Sequence, residues 1–95
     1  MKIKLTVDPD LAVLMPQYLK NRSTDLTKLE TSTTQQDFNS IKMISHKIKG
    51  HAAGYGMAPL GDICKKIEIA ANEKDAKKIE TLLLEYKEYL DQVEF

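Results

Sequence analysis

The chain has 95 residues, 42% hydrophobic and 29% charged, and its 14 acidic and 14 basic side chains cancel. Residues 1–95 are enough for one domain with a modest core, and the zero net charge argues against nucleic acid or an anionic membrane as a partner. No stretch has the roughly 20 apolar residues that cross a membrane, and no signal-peptide core follows the start, so we expect a cytoplasmic protein. The single cysteine, Cys64, excludes an internal disulfide, and its apolar spacing predicts a buried thiol.

The first thirty residues predict an arm and an interrupted helix. Residues 1–7 alternate apolar and charged side chains, which is the pattern of a short strand. Because no second strand is predicted, we interpret them as an extended arm. Asp8 has the position of an N-cap and Pro9 that of the first helical residue. Pro16 is expected to break or kink this helix, so that a short segment is followed by a longer one over about residues 16–30.

Three further helices are predicted after a polar connector at residues 31–34. Thr34, together with Asp37 or Gln36, is expected to cap the second helix, and this helix should end at residues 54–56, where glycine tolerates a left-handed backbone. Pro59 opens the third helix. Asp75 caps the fourth helix after a short turn.

The spacing of the apolar residues in these helices predicts an all-α fold. We expect an antiparallel up-down four-helix bundle over residues 8–95, with a short, proline-interrupted N-terminal helix. The residues expected to point inward are, in chain order, Leu19, Leu26, Leu29, Ile41, Ile44, Ile48, Ala52, Tyr55, Leu60, Ile63, Cys64, Ile67, Ala70, Ala71, Ile79, Leu82, Leu83, Tyr86, Leu90 and Val93.

The second predicted helix carries a histidine that the core does not need. At about 100° per residue, Ile41 and Ile48 lie in one arc, and His46 points away from it. Lys42 and Lys49 lie on the face of His46, about one turn before and after it. An imidazole is a competent nucleophile at neutral pH, and nearby ammonium groups offset the negative charge of a phosphoryl group. This face therefore favours phosphoryl chemistry.

Small residues accompany the histidine. Gly50 is one turn past His46, where it costs roughly 1 kcal/mol relative to alanine in a helix. We interpret this as clearance for the close approach of a partner; the alternative is tight packing of Gly50 against another helix of the same chain. Ala53 and Met43 border the histidine and, with Lys42, complete the predicted docking surface.

A longer pattern resembles a known family. The pattern consists of His46-Lys47-Ile48-Lys49-Gly50, Gly56, Leu60, Cys64 and Ile67-Glu68. It resembles the histidine-containing phosphotransfer (HPt) domain of multistep phosphorelays, and Val7–Leu11 with Pro16–Leu19 resembles the opening helix of one subgroup. The resemblance implies that His46 accepts a phosphoryl group from the aspartyl phosphate of a receiver domain, or from a histidine kinase, and passes it to another receiver aspartate.

The resemblance also implies roles for three other residues. Lys49 matches the lysine that supports the phosphoryl group electrostatically, and Gly50 matches the glycine that admits the receiver. Glu68 occupies a position where family members place a glutamine or an acid that hydrogen-bonds the imidazole. The alternative for Glu68 is an ordinary surface glutamate, and a carboxylate there would also repel a phosphoryl group. His51 is predicted to be a half-buried helix residue.

The partners expected from the resemblance are receiver domains of response regulators or hybrid histidine kinases. The chain itself is expected to be a monomer. We also expect a phosphoryl carrier and not an enzyme, since the sequence has no nucleotide motif and no His/Cys metal site. The divalent metal of the reaction is expected on the receiver. Two alternatives stay open: the phosphoacceptor and dimerisation fragment of a sensor histidine kinase, and a helical module that docks receivers without being phosphorylated. Lys47 and Gly50 stand where the kinase fragments usually have an acidic residue and a proline.

Overall fold

The structure is a computed structural model that describes residues 2–94. In chain order its elements are β1 (Ile3–Lys4), α1 (Pro9–Ala12), α2 (Met15–Thr34), α3 (Phe38–His51), a 3-10 turn (Ala53–Tyr55), α4 (Ala58–Asn72), α5 (Ala76–Gln92) and β2 (Val93–Glu94). Helices account for nearly all the regular structure, so the predicted all-α class is confirmed. The helix α3 packs on α4, α4 on α5, α5 on α2 and α2 on α3. The antiparallel up-down order of these four helices stays a prediction.

Three helices begin at aspartate caps, of which Asp8 and Asp75 were predicted, whereas the predicted cap Thr34 lies inside α2 and Asp37 itself caps α3. A side-chain oxygen of Asp8 accepts from the N–H of Asp10 at 2.9 Å, and Asp37 caps α3 through the N–H of Ser40 at 3.2 Å. Asp75 starts α5 in the same way. Each cap satisfies a backbone donor that the first helical turn leaves free, which is why these starts follow from the sequence.

The predicted connector at residues 31–34 is wrong, because α2 continues through it. Threonine hydroxyls can bond to the carbonyl four residues earlier, which lets a polar threonine run continue a helix. Thr33 donates to the carbonyl of Leu29 at 2.7 Å, and Thr34 donates to that of Glu30 at 3.1 Å. The chain turns instead just before Asp37. The expected break near Pro16 is present, but α1 already ends at Ala12 and Pro16 lies in the first turn of α2.

The interpretation of residues 1–7 as an unpaired arm is also wrong. Ile3 and Lys4 pair in parallel with Val93 and Glu94, at the other end of the chain. The N–H of Leu5 extends the pairing by donating to the carbonyl of Glu94 at 2.7 Å. A strand of two residues has almost no sequence pattern of its own, so its partner could not be identified before folding brings the two ends together.

The core contains most of the residues expected in it, and it leaves one side of α3 free. Seven of the predicted inward positions are only partly buried, namely Leu19, Leu26, Ile44, Tyr55, Ile63, Leu90 and Val93. The prediction did not include five buried apolar residues, namely Leu5, Met15, Tyr18, Met57 and Tyr89. Ser45 is also fully buried, and its hydroxyl donates to the carbonyl of Ile41 at 2.6 Å. Because Ile41, Ser45 and Ile48 point inward, His46 faces solvent.

Two further properties concern the whole chain. Across residues 2–94, no helix combines the length and apolar character needed to cross a membrane. Cys64 is buried, as its spacing predicted, and burial raises the pKa of its thiol to about 12. A thiol in that state is a poor nucleophile at neutral pH.

Candidate functional site

His46 projects from the outer face of α3 towards α4. Its side chain is 68% exposed, in keeping with its position opposite the buried residues of the helix. One ring nitrogen is nevertheless held: Nδ1 lies 2.8 Å from Oε2 of Glu68, which is 22 residues further along the chain on α4. The predicted neighbour therefore does contact the imidazole, and the ring is anchored on one side and open to solvent on the other.

Glu68 also binds a second partner. Its other oxygen, Oε1, accepts a hydrogen bond from Nζ of Lys49 at 2.7 Å. Lys49 is one turn after His46 on α3, so a single carboxylate from α4 joins two α3 side chains. The Lys49 hydrogen bond is the main cause of the lowered pKa of Glu68; burial opposes this shift and the bond from His46 adds to it. Glu68 is thus ionised at neutral pH.

The ionised carboxylate determines which nitrogen of His46 carries the proton. A carboxylate can only accept hydrogen bonds, so the Nδ1 of a neutral imidazole must be the donor in the 2.8 Å contact. The lone pair then lies on Nε2. That nitrogen has no hydrogen-bond partner within residues 2–94. The arrangement presents a nucleophilic nitrogen to solvent with its ring orientation fixed.

Lys49 changes the electrostatic argument about Glu68. A carboxylate beside the nucleophile would repel an incoming phosphoryl group, but here an ammonium 2.7 Å away offsets its charge. Lys49 was expected to act directly on the phosphoryl group, and its pairing with Glu68 was not predicted. Predicting this pair requires knowledge of how α3 aligns with α4, because that alignment brings together Lys49 and Glu68, which are 19 positions apart.

The other predicted surface residues surround His46 without bonding to it. Gly50 is exposed, and a Cβ built on it would meet no atom within 4 Å, so tight packing within the chain is not its role. Met43 is 61% exposed. Ala53 is exposed in the 3-10 turn, whereas Lys42 is half-buried. The structure therefore brings only His46, Lys49 and Glu68 into direct contact, and the remaining four provide an open surface.

The second histidine belongs to a different cluster. His51 is half-buried, as predicted, and its Nδ1 lies 2.8 Å from the hydroxyl of Tyr18 on α2. Arg22, also on α2, approaches Nε2 at 3.4 Å. Burial, and then the positive charge of Arg22, lower the pKa of His51. The sequence had singled out neither Tyr18 nor Arg22, because their role depends on how α2 packs on α3.

The comparison with known families decides what kind of domain carries this site. A model of the Hpt domain matches residues 13–94. The chain belongs to the Hpt domain family. An Hpt domain has a histidine phosphotransfer role in two-component phosphorelays, and it carries phosphoryl groups without an enzyme's own catalytic site. No curated protein and no solved structure gives a significant match.

The match covers both helices that form the site of this Hpt domain. The three contacting side chains and the open surface beside them all lie between residues 42 and 68, well inside the matched range. Among residues 2–94, no group of three or more His, Cys, Asp or Glu side chains is placed to hold a metal ion. The groups in direct contact at the site are the imidazole of His46, the carboxylate of Glu68 and the ammonium of Lys49.

Proposed function

We propose that this protein accepts a phosphoryl group on His46 from the aspartyl phosphate of a receiver domain, or from a histidine kinase, and passes it to another receiver aspartate. One observation carries the proposal: the exposed imidazole is held by Glu68 through Nδ1 at 2.8 Å, which leaves Nε2 facing solvent. Family membership supplies the class of partner, namely receiver domains of response regulators or hybrid kinases.

In the forward step the lone pair of Nε2 attacks phosphorus. A nitrogen–phosphorus bond forms, the phosphorus–oxygen bond of the aspartyl phosphate breaks, and its electron pair returns to the aspartate carboxylate. The onward step reverses this sequence with a second aspartate as the nucleophile. Positioning and charge stabilisation account for most of the catalysis in phosphoryl transfer. Here Glu68 orients the ring, and Lys49 supplies positive charge next to it.

The surface beside His46 is proposed to receive the receiver domain. In-line transfer requires the two proteins to approach closely, and misplacement is expensive. Gly50 and Ala53 leave the backbone accessible, and Met43 adds an exposed apolar contact. Lys42 lies at the edge of the same surface. The proposal includes a monomeric, cytoplasmic carrier in an antiparallel four-helix arrangement, with no cofactor of its own and the divalent metal on the receiver.

Labelling by a panel of purified receivers tests this function. Incubation with a phosphorylated cognate receiver should label this protein at one site, and the label should show the acid lability of a phosphoramidate. His46→Gln should abolish the label while changing the free energy of unfolding by no more than about 0.5 kcal/mol, because the position is exposed. Receiver binding without any label would favour the docking module, and a label that survives the substitution would refute the assignment to His46.

A further inference from the structure

The Glu68 carboxylate contacts the nitrogen of His46 that does not react. The contact is 2.8 Å long and engages Nδ1, on the opposite side of the ring from the exposed Nε2. If ring orientation were the only requirement, any acceptor, including a neutral amide, would be sufficient. A carboxylate adds a negative charge, and that charge acts on the ring most strongly when the ring itself is positive.

The ring becomes positive when it is phosphorylated. Before the reaction the proton is on Nδ1 and the lone pair is on Nε2. Once Nε2 bonds to phosphorus, a ring that keeps its Nδ1 proton is an imidazolium. When the nitrogen–phosphorus bond later breaks, its electron pair returns to Nε2 and the leaving group is a neutral imidazole. A ring that has lost the Nδ1 proton would have to leave as an imidazolate, which is a far poorer leaving group.

We infer that Glu68 is a positioning residue whose charge retains the proton on Nδ1 of phosphorylated His46, and thereby sets the pH range over which the phosphoryl group leaves. The inference rests on the proposed function. An opposite charge within hydrogen-bond distance favours the charged form of a titrating group. The protonated and transferable form of the phosphohistidine therefore persists to higher pH with a carboxylate at this position than with an amide.

The other charged groups near His46 limit this effect. Lys49 holds the second oxygen of Glu68 at 2.7 Å and offsets part of its charge. Lys42 lies on the same face of α3, and Lys65 is exposed one turn before Glu68 on α4. The helix α2 contacts α3 on a different flank, through Tyr18 and Arg22 against His51. Glu68 is thus the acidic group in contact with the ring, and lysines moderate it.

Chemical phosphorylation allows a test that needs no partner. The intact protein and its variants are phosphorylated with potassium phosphoramidate, a small-molecule phosphoryl donor. Loss of the label is then followed from about pH 5 to about pH 9, and the proton on Nδ1 is titrated by NMR of the phosphorylated ring. Glu68→Gln is the informative variant, because an amide can keep the hydrogen bond without the charge. Glu88→Gln on α5 makes the same charge change at an exposed site on a helix that packs mainly on α2 and α4.

Glu68→Gln should move the midpoint of both pH profiles down by roughly one pH unit. Above both midpoints the native protein should therefore lose its phosphoryl group about tenfold faster than the variant. Lys49→Ala should move the midpoint up by a smaller amount, and Glu88→Gln should leave it unchanged. Coincident midpoints for the native protein and Glu68→Gln, with His46 labelled in both, would overturn the inference and leave the proposed function intact. No label on His46 from receivers or phosphoramidate would overturn both.

Discussion

The ammonium of Lys49 and the carboxylate of Glu68 meet at 2.7 Å across the interface of α3 and α4. The pair stands beside His46, yet only 34% of the Lys49 side chain and 20% of that of Glu68 are exposed. It can therefore act in two ways, by joining the two helices and by placing positive charge near the transferred group. The two roles make different predictions for stability and for rate.

Lys49→Ala should slow phosphoryl transfer without preventing receiver binding. In the proposed reaction the ammonium offsets charge that accumulates during transfer, whereas a partly exposed ion pair contributes little to folding. We expect at least a tenfold lower transfer rate and a loss of about 1 kcal/mol or less in the free energy of unfolding. Lys47→Ala, an exposed lysine beside His46 with no ion pair in the described part of the chain, is the matched control. Rapid-quench transfer assays and urea unfolding measure both quantities, and equal transfer rates for the two variants would remove Lys49 from the mechanism.

Gly50→Gln should weaken docking and transfer together but leave the fold intact. Nothing lies within 4 Å of a Cβ at this position, so a longer side chain meets only solvent or the partner. Because glutamine is the better helix former, the variant should be equally stable or up to about 1 kcal/mol more stable. Gly61→Gln provides the contrast, since Gly61 is buried with Ala52 3.6 Å from its would-be Cβ. We expect that variant to lose about 1–3 kcal/mol through overpacking. Normal transfer by Gly50→Gln would show that the receiver meets another face.

The stability of the fold should decrease as pH falls through the range in which histidine titrates. His51 has a lowered pKa in the folded protein because it is partly buried and faces Arg22, with Asp25 opposing weakly. The unfolded chain, with an ordinary value near 6.5, therefore takes up the proton first. The contribution of His51 to stability is complete above that value and is lost as pH falls from it towards the folded value. Urea midpoints measured against pH should decline more steeply for the native protein than for His51→Gln.

The environment of His51 is set by Tyr18, which lies on another helix. The sequence predicted a half-buried His51, which is correct, but it could not identify the residues that face this side chain. The hydroxyl of Tyr18 forms a hydrogen bond of 2.8 Å with Nδ1 of His51, and its ring stacks on that of Tyr55 with centroids 3.9 Å apart. Parallel curves for the native protein and His51→Gln would show that protonation of this ring is not coupled to folding.

The local features of the site could be predicted from the sequence, whereas the contacts between helices could not. His46 was identified mainly from the motif that resembles the HPt domain, supported by the helical periodicity that places it opposite the apolar face of α3, and both are local properties of the sequence. The helix starts at Asp37 and Asp75 are local for the same reason. Contacts between elements were harder: the Glu68 bond to His46 was one of two open alternatives, and the Lys49 bond was not foreseen. Both contacts depend on the alignment of α3 with α4, and a short stretch of sequence does not determine that alignment.

The N-terminal segment passes directly over the turn between α3 and α4, where Thr6 lies against Gly56. Gly56 has a left-handed backbone with φ of 77°, and a Cβ added to it would lie 2.9 Å from the carbonyl oxygen of Thr6. Gly56→Ala should therefore lose about 1–3 kcal/mol of stability, from the strained backbone and from displacement of a main-chain segment. Gly54→Ala, two residues earlier, meets no atom within 4 Å and should be neutral or slightly stabilising. The midpoints of urea unfolding compare the stabilities of the two variants, provided that their m-values are equal. Coincident midpoints would mean that residues 5–7 do not hold the close approach to this turn in solution.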